Sequence, residues 1–546
     1  MKICVAQLNY KIGDIENNTQ KIADTVHEAK QAGADLVVFS ELAVCGYPPD
    51  DLLDFPWFIE KCEQGLEMVA QSCQGIAAIV GGISTSTYST GRQLHNIACF
   101  MRDGRIEDTV KKTLLPSYDV FNESRYFEPN REHRVIDYKG VKIGITICED
   151  MWDKYNTFEY EKSPASHLSV NGAQLIINPS ASPFCIGKQK VRNKVLEGNT
   201  KRFNSPIVYV NQVGAHNDLI FDGSSCVVNG KGEKVSTLDT FKEDVQYIHF
   251  KNGEITDTSE DETNPEAEEI KLIHDALVFG IKDYFKKMNF KTATLGSSGG
   301  IDSAVVQALA STALGGDKVH PVLMPSKFSS SGSVKDAERL SKNLGNPHIT
   351  IPIKNVYNSY VKSLEPHFEG KEFDTTEENL QARARGVILM ALSNKHGHIL
   401  LNTSNKSEIA VGYSTLYGDM CGSLSPIGDV YKTKLYALAQ YINRDQEIIP
   451  NEIINKAPSA ELRPDQKDSD SLPDYSTLDE ILNLFIEEQK GPWEIKSLGY
   501  DSKTVEKTIA LVNGSEFKRF QSPPILRITS KAFGRGRIIP LVANYC

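Results

Sequence analysis

Ser298-Gly-Gly-Ile-Asp-Ser303 follows the short apolar stretch Thr292-Ala-Thr-Leu295 and leads into Ala304-Val-Val-Gln-Ala-Leu309. The order is strand, glycine- and serine-rich turn, helix. At such a turn the first N–H groups of the helix point outward with the positive end of the peptide dipoles, and glycine lets an anion approach the main chain. The turn therefore reads as a phosphate cradle, and the chain as one that handles a nucleotide. A Walker A loop ends in lysine; this loop has none, so it is not an ordinary NTPase loop. A bare Gly-Gly would be only a turn. Six suitable positions in a strand–loop–helix context carry more.

Outward from the loop, the spacing of apolar residues predicts strands over 292–295, 319–324, 349–353 and 398–403. Helices are predicted over 303–313, 334–344 and 376–396. This alternation reads as a doubly wound parallel sheet, whose ligands sit at the carboxyl ends of the strands. Upstream, Asn264-Pro265 has the chemistry of a helix start. A stripe of Leu272, Ile273, Ala276, Leu277, Ile281, Tyr284, Phe285 and Met288 follows it. The acidic, apolar-poor residues 251–264 read as a linker between a domain over 1–250 and another over 265–546. Residues 455–475, rich in Pro, Asp and Ser, read as a loop and a candidate lid.

In the first half, strands are predicted near 3–8, 36–40, 76–83, 96–102, 141–147, 175–178 and 205–213, with helices over 18–32 and 187–204. Asp103-Gly104, Asp222-Gly223 and Asn229-Gly230 are hairpin signals. Hairpins mixed with crossovers indicate sheets packed against helices and not one parallel sheet. Net charge is −11 with no long basic run, which excludes a nucleic-acid partner held by counterion release. The ten cysteines form no CxxC pair, so neither a zinc site nor a disulfide scaffold is expected, and the expected setting is a reducing cytoplasm. Met1-Lys-Ile-Cys-Val-Ala-Gln reads as a strand and not a leader. No apolar run approaches the ~18–20 residues of a membrane span.

Three residues in this half suit acyl transfer from an amide. Cys148 follows the strand-like Ile143-Gly-Ile-Thr-Ile147, Glu41 follows Leu36-Val-Val-Phe-Ser40, and Lys112 lies in Lys111-Lys-Thr-Leu-Leu-Pro-Ser-Tyr118. A thiolate is the strongest side-chain nucleophile. A carboxylate accepts its proton and returns it to departing ammonia, and an ammonium steadies the developing oxyanion. Singly, each has a plainer reading: a buried structural thiol, an ion-paired glutamate, a surface lysine.

Together, Phe39-Ser-Glu-Leu42, Lys112-Thr-Leu-Leu-Pro116 and Ile147-Cys-Glu-Asp150 resemble the nitrilase, or carbon–nitrogen hydrolase, family over about residues 1–250. The resemblance implies an α-β-β-α sandwich and a triad of Glu41 as base, Lys112 as oxyanion stabiliser and Cys148 as nucleophile. Segment 178–188 resembles the family's glutamine-binding loop, which implies that Tyr118, Ser182 and Lys188 hold substrate.

The SGGxDS loop resembles that of the ATP pyrophosphatases. With Glu378–Arg385, Asn402–Glu408, Gly418–Lys432, Leu472-Pro-Asp-Tyr475 and Glu516-Phe-Lys-Arg519 it resembles the NAD synthetase family, which implies a Rossmann-like adenine-nucleotide hydrolase domain. The implied ATP contacts are Gly296, Ser297, Ser298, Gly299, Gly300, Ile301, Asp302, Ser303, Thr403 and Lys432. Those to deamido-NAD are Asn379, Arg385, Glu408, Asp419 and Lys518, with Mg²⁺ near Asp302 and Glu408. Read without the resemblance, Asn402–Glu408 serves equally as a helix cap. Arg383 and Arg385, two apart on a helix, point in different directions and do not form one clamp.

The joint expectation is an amidotransferase: glutamine hydrolysis supplies ammonia, and ATP activates the nicotinate carboxylate of deamido-NAD as an adenylate that ammonia converts to NAD, releasing AMP and pyrophosphate. The resemblance also implies an ammonia path between the sites and a homodimer, or a higher homo-oligomer, formed through the synthetase domains. Three alternatives stay open: another adenylylating amidotransferase, a nucleotide sensor, and an amidase regulated by its second half. Position 2 is lysine, so a glutaminase with an N-terminal cysteine nucleophile is excluded.

Overall fold

The computed structural model describes residues 1–155, 160–255 and 268–543. The chain divides into two units, Met1–Thr263 and Asn264–Cys546. The first is organised by two-residue alternation. In the strand Lys2–Gln7, Ile3 and Val5 face one core while Cys4 and Ala6 face another; Leu36 and Val38 are set against Val37 and Phe39 in the same way. The seven-stranded sheet runs in the order Glu254–Ile255, Asp244–Lys251, Lys2–Gln7, Leu36–Val38, Ala77–Thr85, Leu94–Arg102, Arg105–Lys111.

A six-stranded sheet packs on it: Lys234–Thr237, Cys226–Val228, Ile207–Asn211, Leu175–Ser180, Val141–Ile145, Ile136–Tyr138. The shared core joins Ile3, Val5 and Leu36 to Ile143, Leu175, Ile177 and Val208; each such burial contributes about 1.5–3 kcal/mol. Helices Ile15–Gln31 and Pro56–Ser72 cover the outer face of the first sheet through Ile22, Val26, Cys62 and Leu66. Helix Lys188–Phe203 covers the second through Val195, Leu196 and Phe203. The layers are α-β-β-α.

Asp103 (φ 52°) and Gly104 (φ 81°) close the expected two-residue hairpin, opposite Arg102 and Arg105. Asp222-Gly223 does not turn a hairpin. The strand Leu219–Asp222 pairs with Val213–His216 across Asn217 and Asp218, and Gly223 (φ 65°) lets the chain leave that ribbon for the six-stranded sheet. The strand expected over 205–213 is split accordingly. Residues 251–255 are hairpin and not linker: Asp244–Lys251 pairs with Lys2–Gln7, and Asn252 (φ 54°) with Gly253 (φ 84°) turns it into Glu254–Ile255. Ile248, Phe250 and Ile255 are inter-sheet core. The rest of the expected linker, with the helix start at Asn264-Pro265, lies outside the described residues.

In the second unit a four-stranded parallel sheet runs Ile349–Thr350, Val319–Leu323, Ala293–Gly296, Ile399–Leu400. Helices Glu268–Lys287, Ile301–Leu314 and Lys432–Ile442 form one packed group. From helix Thr375–His396, Ile388, Leu389 and Leu392 pack against Val322 and Met324. The order of strands reverses between Ala293–Gly296 and Ile399–Leu400, which opens a ligand crevice at the carboxyl ends. Among the described residues no helix is long and apolar enough to cross a membrane.

Candidate active sites

In the first unit, Cys148 opens a 3₁₀ turn, Cys148–Met151, two residues after the strand Val141–Ile145. Its φ is 45°, a left-handed conformation that costs a non-glycine residue energy and is stored at functional turns. Asp150 ties this turn to the segment after Lys112: its carboxylate accepts from the N–H groups of Thr113 (3.0 Å), Leu114 (2.7 Å) and Ile147 (3.0 Å). Residues distant in sequence are thereby brought together.

Lys112 Nζ donates to Glu41 Oε1 and Glu123 Oε1, both at 2.7 Å, with no side-chain exposure at Lys112 or Glu41. Glu41 also accepts from Asn96 Nδ2 (2.7 Å) and, through Oε2, from the N–H of Ala181 (3.0 Å). Tyr47 OH donates to Glu123 (2.9 Å). Burial works against the Lys112 charge, but the two carboxylates outweigh it and hold the ammonium well above its ordinary range. Burial, reinforced by Glu41 and opposed by Lys112, pushes the Cys148 thiol well up. Burial of this kind disfavours the thiolate, and a neighbouring carboxylate is the group suited to accept the thiol proton.

Of the expected glutamine contacts, Tyr118 OH donates to Glu149, the residue after Cys148, at 2.9 and 3.1 Å. Ser182 is buried. Lys188 starts its helix with its ammonium 4.1 Å from the Trp152 ring centroid, and burial lowers its pKa. A desolvated ammonium of that kind favours a carboxylate ligand.

In the second unit a cavity of about 290 Å³ opens beside the 298–303 loop. Gly299 (φ 78°) lies so close to its neighbour that a Cβ would sit 2.2 Å from the Ser333 carbonyl oxygen, so only glycine fits. Ser298 Oγ accepts from the Gly300 N–H (3.1 Å), and Ser303 Oγ donates to the Gly300 carbonyl (3.1 Å). Ser297 turns inward to Gln307 (2.9 Å).

Asp302 meets Lys432 Nζ at 2.6 Å and accepts from Asn405 Nδ2 at 2.7 Å; Lys432 also meets Glu408 at 3.1 Å. Asn405 caps the helix Lys406–Val411 by accepting from the Glu408 N–H. The segment therefore serves as a cap and lines the cavity as well. Burial pushes Glu408 up against the pull of Lys432. Arg385 is lowered to about 10, chiefly by burial.

The cavity lining includes Gly296, Ser297, Ser298, Gly300, Ile301, Asp302, Ser303, Arg385, Thr403, Glu408, Asp419 and Lys432, but not Gly299, Asn379 or Lys518. Asn379 accepts from Thr415 Oγ1 (2.7 Å), and Lys518 donates to the carbonyls of Gly412 and Ser414 (both 2.7 Å). These two frame the segment that carries Asp419, itself raised to about 6 by burial. Arg383 Nε takes the Leu416 carbonyl (3.2 Å) and Arg385 Nε that of Met324 (3.1 Å), so they form no joint clamp.

Residues 2–260 match the carbon–nitrogen hydrolase family, and residues 273–522 match the NAD synthase family. The chain is 44% identical to the glutamine-dependent NAD(+) synthetase of Synechocystis sp., covering 100% of this chain and 99% of that one. The chain belongs to the glutamine-dependent NAD(+) synthetase family. It is 41% identical to the family member of Acinetobacter baylyi, covering 100% of this chain and 98% of that one. The solved structure of the Acinetobacter baumannii synthetase in complex with ADP is 38% identical, with a TM-score of 0.79 over 99% of this chain and 98% of that one.

Around these family sites stand residues the sequence did not single out. Asn96, Glu123, Tyr47 and Asp150 surround the Lys112–Glu41 pair. In the second unit Glu461 accepts from Ser333 Oγ (2.9 Å) and the Ser330 N–H (3.3 Å), and Lys456 meets Glu461 at 2.6 Å. This holds residues 456–462, part of the loop expected over 455–475, against the cavity.

Proposed function

We propose that this chain makes NAD from deamido-NAD, ATP and glutamine, with the residues named above in definite roles. One observation carries the reading: the same chain holds a buried Glu41–Lys112 pair in the site of Cys148 and an Asp302–Lys432–Glu408 set beside a glycine-rich loop. Cys148 attacks the carboxamide carbon of glutamine. Glu41 takes the thiol proton and passes it to departing ammonia, while Lys112 faces the oxyanion. Tyr118, Ser182 and Lys188 hold the amino-acid end. Water then hydrolyses the glutamyl thioester.

In the second unit the 296–303 loop, Thr403 and Lys432 hold ATP, while Asn379, Arg385, Asp419 and Lys518 set the dinucleotide. The nicotinate carboxylate attacks the α-phosphorus, pyrophosphate leaves, and ammonia displaces AMP. Asp302 and Glu408 offer hard oxygen donors around one cation position, now taken by the Lys432 ammonium. Among the described residues no cluster of three or more metal ligands exists. Two carboxylates completed by phosphate oxygens suit Mg²⁺, which when bound neutralises phosphate charge. A reducing cytoplasm suits a nucleophile that must stay a thiol. In the assay that tests this, purified protein forms NAD from ATP and deamido-NAD with either glutamine or ammonium, loses both activities on chelation, and regains them with Mg²⁺. No NAD from either nitrogen source would refute the reading.

We also infer a homodimer through the second unit. Tyr417, Phe517 and Phe520 are all exposed, Phe520 by 76%, and Tyr417 OH donates to Gln521 (3.0 Å), which brings Tyr417 to the segment that carries Phe517 and Phe520. An apolar region of this kind marks an interface. Sedimentation should give at least twice the chain mass of 60.6 kDa; a monomer at micromolar concentration would rule the dimer out.

A further inference from the structure

Behind Ser182 and Lys188, two of the three proposed glutamine contacts, lies a buried polar network. Asp222 ends the strand Leu219–Asp222 and is 2% exposed; Arg192, in the helix begun by Lys188, is 1% exposed. Arg192 donates through Nη1 and Nη2 to the two Asp222 oxygens, each at 3.0 Å. Its guanidinium also lies 5.4 Å from the Tyr209 ring centroid. Asn211, fully buried at the end of the strand Ile207–Asn211, donates through Nδ2 to the Gly223 carbonyl (3.0 Å), with Asp222 Oδ1 in a longer, shared contact (3.4 Å). The same amide clamps Ser182 from both sides: Oδ1 accepts from the Ser182 N–H (2.8 Å) and Nδ2 donates to the Ser182 carbonyl (3.1 Å).

One carboxylate therefore ties together two elements that reach the substrate from different directions. Arg192 is four residues beyond Lys188, one helical turn away, so fixing its guanidinium fixes the turn on which Lys188 stands. Asn211 fixes the main chain of Ser182. A buried ion pair contributes little net stability beyond apolar residues of the same volume, but a bidentate pair imposes a definite geometry.

We propose that Asp222, Arg192 and Asn211 are positioning residues that set the spacing between Ser182 and Lys188, and with it the affinity for the α-amino-acid end of glutamine. The inference rests on the glutaminase reading given above. These residues act through groups that hold substrate in the ground state and the transition state alike. Loosening them therefore raises KM and leaves kcat nearly unchanged.

The test uses Asn211→Ala and Arg192→Lys in the full chain. The first frees the Ser182 main chain. The second keeps the buried positive charge but loses the planar two-pronged donor, which guards the result should the first variant fold poorly. For each, KM for glutamine should rise about 10- to 100-fold with kcat within about threefold of wild type. Iodoacetamide, which has no α-amino or α-carboxylate group, should alkylate Cys148 at the wild-type rate, followed by peptide mass. An unchanged KM overturns the proposal, as does a loss of kcat together with Cys148 alkylation, the mark of a merely structural role. Failure of the glutaminase reading itself would already be seen in the wild-type protein, which would hydrolyse no glutamine.

Discussion

Cys148→Ala is expected to lower glutamine-supported NAD formation by about 10⁴-fold or more while leaving the ammonium-supported rate within about twofold of wild type. The substitution removes the sulfur proposed to form the thioester. It leaves Lys112 bridging Glu41 and Glu123, and Asp150 holding the Thr113, Leu114 and Ile147 N–H groups. The turn thus keeps its anchors, and the missing step is chemical. Glu41 and Lys112 offer no substitute: one is a carboxylate already accepting three hydrogen bonds, the other an ammonium held charged by its partners. Ammonium supplied from solution bypasses the step, because the proposed adenylylating site lies on a separate unit of the chain. The measurement is NAD produced with each nitrogen source, alongside circular dichroism of the variant. Loss of both activities in a folded variant would contradict the two-site reading.

How far these sites were legible in the sequence follows from the range of the interactions that make them. Cys148 and Glu41 lie just past apolar strands, and Ser298–Ser303 spans a strand–turn–helix, so local pattern points to all three. Glu123 opens a single polar 3₁₀ turn, Glu123–Arg125, with no sequence periodicity around it. It becomes part of the site only because Lys112 and Tyr47 reach it through the folded chain. Asn96 is one of many residues in a long strand, and nothing local marks it off from its neighbours.

The same limit applies to boundaries. The stretch after Lys251 is acidic and apolar-poor on average, yet Ile255 is core because Asn252-Gly253 folds it back onto the sheet. Average composition hid a turn signal that pairwise reading would have caught. At Asp222-Gly223 the opposite happened: a turn-like dipeptide marks a change of sheet and not a hairpin, and only the pairing partner tells the two apart.

Asp302→Ala is expected to reduce NAD formation from glutamine and from ammonium alike, by about 10³-fold or more, with glutamine hydrolysis retained. Asp302 stands in the first turn of the helix Ile301–Leu314 and meets both Lys432 and Asn405. Two carboxyl groups and one ammonium meet on the cavity wall. Without Asp302, Lys432 is left with Glu408 alone and the paired donor set for a divalent cation is halved. ATP would then meet a cavity with its cationic lysine displaced towards Glu408 and with one fewer ligand to hold Mg²⁺ against the phosphates. Asp302→Asn separates shape from charge, since it keeps the volume and removes the negative charge. It should be almost as inactive as the alanine variant if charge balance decides. Because Asn405 donates to Asp302, the carboxamide would also have to turn its oxygen towards Asn405 and its nitrogen towards Lys432, opposing two donors. Wild-type NAD formation by either variant would show that the loop is not where ATP is activated. Loss of synthesis with glutamine hydrolysis intact would place the defect at the adenylylating step, after the nitrogen has been released.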